Sequence, residues 1–220
     1  MLDIIFPPLH KEGKKILTIT LIINFFVFFA SNSIGVFFLI LNIWVFYFFR
    51  DPERVSINDN NYLVSPADGK ISMITECHGP KEVGLDSKSF IRVSVFMNVF
   101  DCHVNRVPAS CEIEEIFYKP GKFINASLDK ASEHNERNIL KIKLKNGEEC
   151  GIVQIAGLVA RRIVCETEPG NLLDQGGRFG IIRFGSRVDL YFDKSYELLA
   201  KLGQSVVAGE SLLAKKKIKR

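Results

Sequence analysis

FGIIRFGSRVDLYF, residues Phe179 to Phe192, is the stretch on which the fold class turns. Two apolar-rich runs, Phe179–Phe184 and Val188–Phe192, meet at Gly185-Ser186. Val188, Leu190 and Phe192 alternate with Arg187, Asp189 and Tyr191 as in a half-buried strand. A small, flexible step therefore joins two stiff β segments. The Ser186 hydroxyl can reach the carbonyl of Gly185, which glycine leaves uncrowded. The same pair also suits a bulge or tight bend, so the local pattern leaves both roles open.

Working outward, the chain from Tyr62 onward reads as β-rich. Gly69–Ile74, Phe90–Met97 and Cys111–Phe117 carry β-branched and aromatic residues at strand density. Leu140, Ile142 and Leu144 alternate with Lys141, Lys143 and Lys145 up to Asn146-Gly147, a hairpin-turn signal, and Ile152–Ile155 and Leu158–Cys165 supply the following strands. Helical signal is thin here, with a turn or two expected at Asn125–Ser132. The reading is a mainly β, compact antiparallel barrel or sandwich.

The N-terminal part is different in kind. From Ile16 to Phe49 there are 34 consecutive residues without Asp, Glu, Lys or Arg. About 18 already suggest a membrane span. Ser31-Asn32-Ser33 and Gly35 break the run into halves of roughly 23 Å each as helix, short of the roughly 30 Å hydrocarbon core. A hairpin dipping into the bilayer, or two spans that thin it locally, fits best, with one long tilted helix as the alternative. The run is too long for a signal-peptide core and reads as an uncleaved anchor. Trp44 and Tyr47 sit near its exit, where such rings favour the interface. The organisation is thus a basic lead-in over 1–15, a membrane-inserted helical hairpin over 16–49 and a β-rich domain over 50–220.

Net charge is +4, with 47% hydrophobic and 25% charged residues, and mean hydropathy is +0.11. Lys11, Lys14 and Lys15 precede the anchor, Arg50 and Arg54 follow it, and Lys215, Lys216, Lys217, Lys219 and Arg220 end the chain. Basic flanks place the domain on the cytoplasmic side, its tail against anionic lipid. No aromatic platform or recognition motif accompanies the tail, which argues against nucleic acid. Five scattered cysteines without a C-x-x-C pair fit a reducing compartment and no metal site.

Several strings have a joint meaning. PPLHKEG at Pro7–Gly13, SPADGK at Ser65–Lys70, HVNRVP at His103–Pro108, NASLDKAS at Asn125–Ser132, FGSRVDLYF at Phe184–Phe192 and VVAGESLLA at Val206–Ala214 follow one another in order. Together they resemble the short form of the phosphatidylserine decarboxylase proenzymes, over nearly the whole chain. The resemblance implies self-cleavage between Gly185 and Ser186 into chains of 185 and 35 residues. Ser186 attacks the Gly185 carbonyl, the ester eliminates, and Ser186 becomes a pyruvoyl group, with no pyridoxal phosphate and no metal. That ketone would form a Schiff base with the substrate amine and act as an electron sink, releasing CO₂. The implied conversion is phosphatidylserine to phosphatidylethanolamine, in phospholipid biosynthesis at a bacterial cell membrane. The sequence does not separate this from action on another phosphoserine lipid, such as the archaeal ether lipid.

The resemblance also assigns roles. Asp68 of SPADGK belongs to a Ser/His/Asp-type apparatus, although Pro, Asp and Gly equally suit a plain turn. His103 is the candidate general acid/base. Longer relatives carry two histidines three apart, and the second place here is Arg106, which leaves open whether His103 or Asp68 is the base for cleavage. Arg106, Arg183 and Arg187 are candidates for the substrate carboxylate or phosphate. The partners expected are phosphatidylserine, the membrane and the chain's own two cleaved pieces, with a homodimer left open.

Two other classes compete. VVAGESLLA resembles the closing strand of lipoyl- and biotinyl-type barrels, so a membrane-tethered carrier or adaptor is one. Its D-K-A at Asp129–Ala131, however, lacks clear flanking strands. A serine hydrolase is the other, and it lacks G-x-S-x-G.

Overall fold

A computed structural model describes residues 6–123, 134–157, 162–183 and 186–217. The chain begins with a helical hairpin, α1 (Lys11–Ala30) and α2 (Asn32–Phe48), hinged at Ser31, whose backbone is extended. Helix α1 starts five residues before the apolar run and takes in the lysines, so the arms are about 30 and about 26 Å long, more than the sequence implied. Helix α1 is long and apolar enough to cross a membrane. Phe26, Phe29 and Phe37 stand exposed along the arms. At the base Gly13 lies against Phe49, where a Cβ would collide with the ring, so the arms can close there.

Fourteen strands follow among the described residues: β1 (Tyr62–Val64), β2 (Gly69–His78), β3 (Ser89–Met97), β4 (Val104–Arg106), β5 (Cys111–Lys119), β6 (Arg137–Leu144), β7 (Glu149–Ala156), β8 (Arg162–Cys165), β9 (Leu172–Leu173), β10 (Arg178–Arg183), β11 (Ser186–Asp193), β12 (Tyr196–Leu198), β13 (Ser205–Val206) and β14 (Leu212–Lys216). Eight form one curled antiparallel sheet in the order β13-β2-β3-β11-β7-β6-β5-β9. Two three-stranded sheets, β1-β14-β12 and β4-β10-β8, complete the domain. The expected mainly β architecture with a helical hairpin is observed. The turn expected at Asn125–Ser132 lies outside the described residues. VVAGESLLA divides between β13 and β14, in different sheets, where a single closing strand was expected.

Strand β11 runs through the middle of the large sheet, Ser186 opposite Met97 of β3 and Ala156 of β7. Val188, Leu190 and Phe192 face the main core with Val93, Val95, Ile152 and Leu140. The opposite face was expected to meet solvent and does not. Tyr191 packs with Val83, Leu85 and Phe90 under the 3-10 turn Lys81–Val83. Arg187 and Asp189 are accordingly buried, at 1% and 0% exposure. The loop that covers Tyr191 and lies beside Asp189 comes from about a hundred residues earlier in the chain, so local alternation could not reveal it.

The hairpin docks through Val45, Phe48 and Phe49 onto Cys102, Val104 and Ile181. Its base therefore rests on the β4-β10-β8 sheet, whose strand β10 leads to Ser186.

Candidate active site

Ser186, His103 and Asp68 all lie in buried positions around this junction, with His103 and Ser186 at 0% exposure. His103 precedes β4, and its carbonyl accepts a 3.3 Å hydrogen bond from the Ile182 N–H. The imidazole Nδ1 lies 3.0 Å from the Asp101 carbonyl oxygen. A carbonyl can only accept, so Nδ1 carries the proton and Nε2 is a bare lone pair. That Nε2 is buried and has no hydrogen-bond partner among the described residues. Burial first, and the Arg50 charge second, hold the His103 pKa down at about 4, against the Asp101 hydrogen bond, which raises it. The ring is thus neutral at neutral pH, the state a base needs.

Asp68 is placed by the turn of SPADGK. Gly69 follows it with φ +142°, and a Cβ there would collide with the Phe96 carbonyl, so glycine is required. The carboxylate accepts from the Ala208 N–H at 2.7 Å and from Arg54 at 2.8 Å. Burial raises its pKa despite Arg54 and the Ala208 bond, which pull it down. No hydrogen bond joins Asp68 to His103 among the described residues. The two flank Cys102, whose thiol donates to the Arg50 carbonyl at 3.1 Å and is pushed up to about 11, by burial first and then by the Asp68 charge.

The Ser186 hydroxyl faces the Met97 sulfur at 3.9 Å, and Gly185 lies outside the described residues. The same sulfur is 3.6 Å from Asn105 Nδ2. Asn105 lies two residues beyond His103, and the fold buries it completely. Its Oδ1 accepts from Gln154 Nε2 at 2.8 Å, and Gln154 Oε1 accepts from Asn138 Nδ2 at 2.9 Å. Sequence reading passed over these three carboxamides. A signal existed: Asn138 and Gln154 interrupt the apolar alternations of Leu140, Ile142 and of Cys150, Ile152, Ala156 on the core face.

The candidate substrate-binding arginines occupy defined places. Arg106 donates to the Gly176 and Pro52 carbonyls at 2.8 and 2.9 Å and lies 3.4 Å from Asp51. Arg183 pairs with Glu12 of helix α1. Arg187 pairs with Asp189 at 2.9 Å, on the face of β11 opposite Ser186. Among the described residues no group of three or more His, Cys, Asp or Glu is placed to hold a metal ion.

The family model for phosphatidylserine decarboxylase matches residues 41–214. The chain is 60% identical over 216 residues to a phosphatidylserine decarboxylase proenzyme of Pelagibacter ubique, covering 98% of this chain and 100% of that protein. It is 49% identical to that of Ruegeria pomeroyi over 97% of this chain and 98% of the relative. It is 47% identical to that of Cereibacter sphaeroides over 97% and 92%. Identity at this level runs through both the hairpin and the β domain, and on it the chain belongs to the phosphatidylserine decarboxylase family.

Proposed function

We propose that this decarboxylase is a proenzyme that cuts itself between Gly185 and Ser186, and that the new terminus at Ser186 becomes the pyruvoyl group with which phosphatidylserine is converted to phosphatidylethanolamine. The observation that carries the reading is His103: a fully buried, neutral imidazole whose Nε2 lone pair has no partner among the described residues. A buried polar atom left open costs about 1–3 kcal/mol, so its retention calls for a role. In this reading Nε2 takes the Ser186 hydroxyl proton as Oγ attacks the Gly185 carbonyl. The carbonyl of Gly185 passes from nitrogen to Oγ, and loss of the ester across Cα–Cβ of Ser186 frees the upstream chain as a carboxylate. The dehydroalanine left behind tautomerises to an imine that takes up water and releases ammonia to give the ketone. Asp68, held by Arg54 and the Ala208 N–H, orients the charge around the site.

The surroundings of Ser186 fit a pyruvoyl group. It heads a strand paired on both sides, so cutting the bond before it leaves the new terminus held by β3 and β7. Apolar neighbours and the Met97 sulfur exclude water from a ketone. The group supplies an electron sink for the decarboxylation. The hairpin inserts in the membrane from the cytoplasmic side and brings the site to the lipid.

Intact mass of the purified protein beside Ser186→Ala tests the proposal. Chains of 185 and 35 residues, the shorter one lacking a free amine, are expected from the native sequence, and one uncut chain from the variant. An uncut native chain, folded in detergent or lipid, would overturn it.

A further inference from the structure

The hairpin meets the β domain at two adjoining depressions that share Tyr47 and Arg50. One is an apolar groove of about 540 Å³ between Ile40, Ile43, Trp44 and Phe48 of α2 and the loop residues Val99 and Phe100. Phe100 is 72% exposed beside the exposed Ile40 and Ile43, and the loop is tied to the hairpin by a 3.2 Å bond from Trp44 Nε1 to the Val99 carbonyl. The other is a cleft of about 710 Å³ lined by Pro7, Pro8, Pro52 and the charged residues Glu53 and Arg54 besides the shared pair. Both volumes fall within the roughly 300–1,000 Å³ of ordinary ligand sites.

Most of the arginines around the junction are engaged in ion pairs. Arg54 pairs with Asp68, Arg106 and Arg178 with Asp51, Arg183 with Glu12 and Arg187 with Asp189. Arg50 makes no ion pair among the described residues and donates only to the Tyr47 carbonyl, at 2.6 Å. It stands where the apolar run ends, the level at which a bilayer's phosphates would lie if the hairpin is inserted. Its charge also reaches the site, acting on His103, Asp68 and Asp101.

We propose that Arg50 binds the phosphodiester of the phospholipid substrate, with an acyl chain in the Ile40–Phe100 groove and the polar head in the Arg50–Arg54 cleft. The inference rests on the decarboxylase reading above. A lipid has the apolar-then-anionic order that the two depressions present, and guanidinium suits phosphate through its fork of donors. Phe48 lines the groove and stacks on His103 behind it, so the groove adjoins the candidate base.

The test uses processed full-length enzyme in mixed micelles of dioleoylphosphatidylserine and a neutral detergent. Arg50→Gln is expected to raise KM about tenfold or more with a smaller change in kcat and unchanged micelle binding, and, since the Arg50 charge lowers the His103 pKa, the acid limb of self-cleavage should move up in pH. Arg50→Lys should recover part of the loss. Soluble glycerophosphoserine should compete with lipid in the native enzyme and lose potency in Arg50→Gln, while inorganic phosphate competes poorly. Ile43→Gln should raise KM for the dioleoyl lipid more than for a dihexanoyl one. An unchanged KM in Arg50→Gln overturns the proposal. So does a loss confined to kcat or to micelle binding, or competition by inorganic phosphate as strong as by glycerophosphoserine. If Ile43→Gln instead splits a dimer and leaves KM alone, the groove is a subunit contact and the proposal falls. A native chain that neither cleaves nor decarboxylates overturns the underlying reading, and this inference with it.

Discussion

The Phe48 ring lies 4.1 Å from the His103 imidazole, centroid to centroid, with the planes 32° apart. The last turn of the hairpin thus lies against the candidate base and shares in keeping it dry. Phe48→Ala should open a cavity costing about 3–5 kcal/mol. Water entering it would raise the His103 pKa from about 4 toward its ordinary 6.5. The acid limb of the self-cleavage rate should move up accordingly, as a pH series on freshly synthesised precursor would show. Phe48→Leu should keep most of the stability with a smaller displacement.

The same histidine links stability to pH. Because its folded pKa is depressed, the unfolded chain takes up a proton between about pH 6.5 and 4 that the folded chain refuses. Its stabilising contribution is complete above pH 6.5 and is lost as pH falls through that window, by up to about 3 kcal/mol. Asp68 acts in the opposite sense, since its folded pKa is raised. Its contribution is greatest at low pH and fades as pH rises through the folded value. Urea unfolding of the Ser186→Ala chain at pH 7 and 4.5, with and without His103→Gln, isolates the histidine. The pH-dependent loss should be smaller with glutamine, and in the native background the same substitution should stop self-cleavage.

Gln154 joins two carboxamides that have no water to turn to. Gln154→Leu would leave Asn105 Oδ1 and Asn138 Nδ2 unsatisfied, at a cost of roughly 2–4 kcal/mol. It would also free the Asn105 side chain beside Met97 and Ser186. Slower conversion of precursor at a temperature where both proteins are folded is the expected result, read by gel densitometry over time.

The Arg187–Asp189 pair sits behind the strand that begins with Ser186, with neither side chain exposed. Removing Arg187 takes away the ion-pair partner of Asp189 and leaves it the Arg92 charge nearby, and Arg187→Met alone should cost about 3 kcal/mol. The double change Arg187→Met with Asp189→Leu should recover much of that. Calorimetry of the four proteins closes the cycle.

Much of this molecule can be read in one dimension. Alternation marked Leu140–Leu144 and Val188–Phe192 as strands, because side chains of a strand take alternate faces whatever lies beyond them, and β-branched and aromatic content marked Phe90–Met97. The uncharged run from Ile16 to Phe49 announced the hairpin, and Ser31 broke it where a turn residue should. Ordered strings announced the family, and with it Ser186, His103 and Asp68 as candidates.

What tertiary structure decided is which groups meet. Tyr191 is covered by the Lys81–Val83 turn. Arg183 is paired by Glu12, 171 residues away in the chain, and Trp44 is fixed by Val99, 55 residues away. Sequence periodicity describes a residue's own element and cannot state what packs on it from elsewhere. The state of His103 and the carboxamide chain at Asn105 arise from such long-range meetings, since burial and ion pairing are properties of the assembled core and not of any local run of residues.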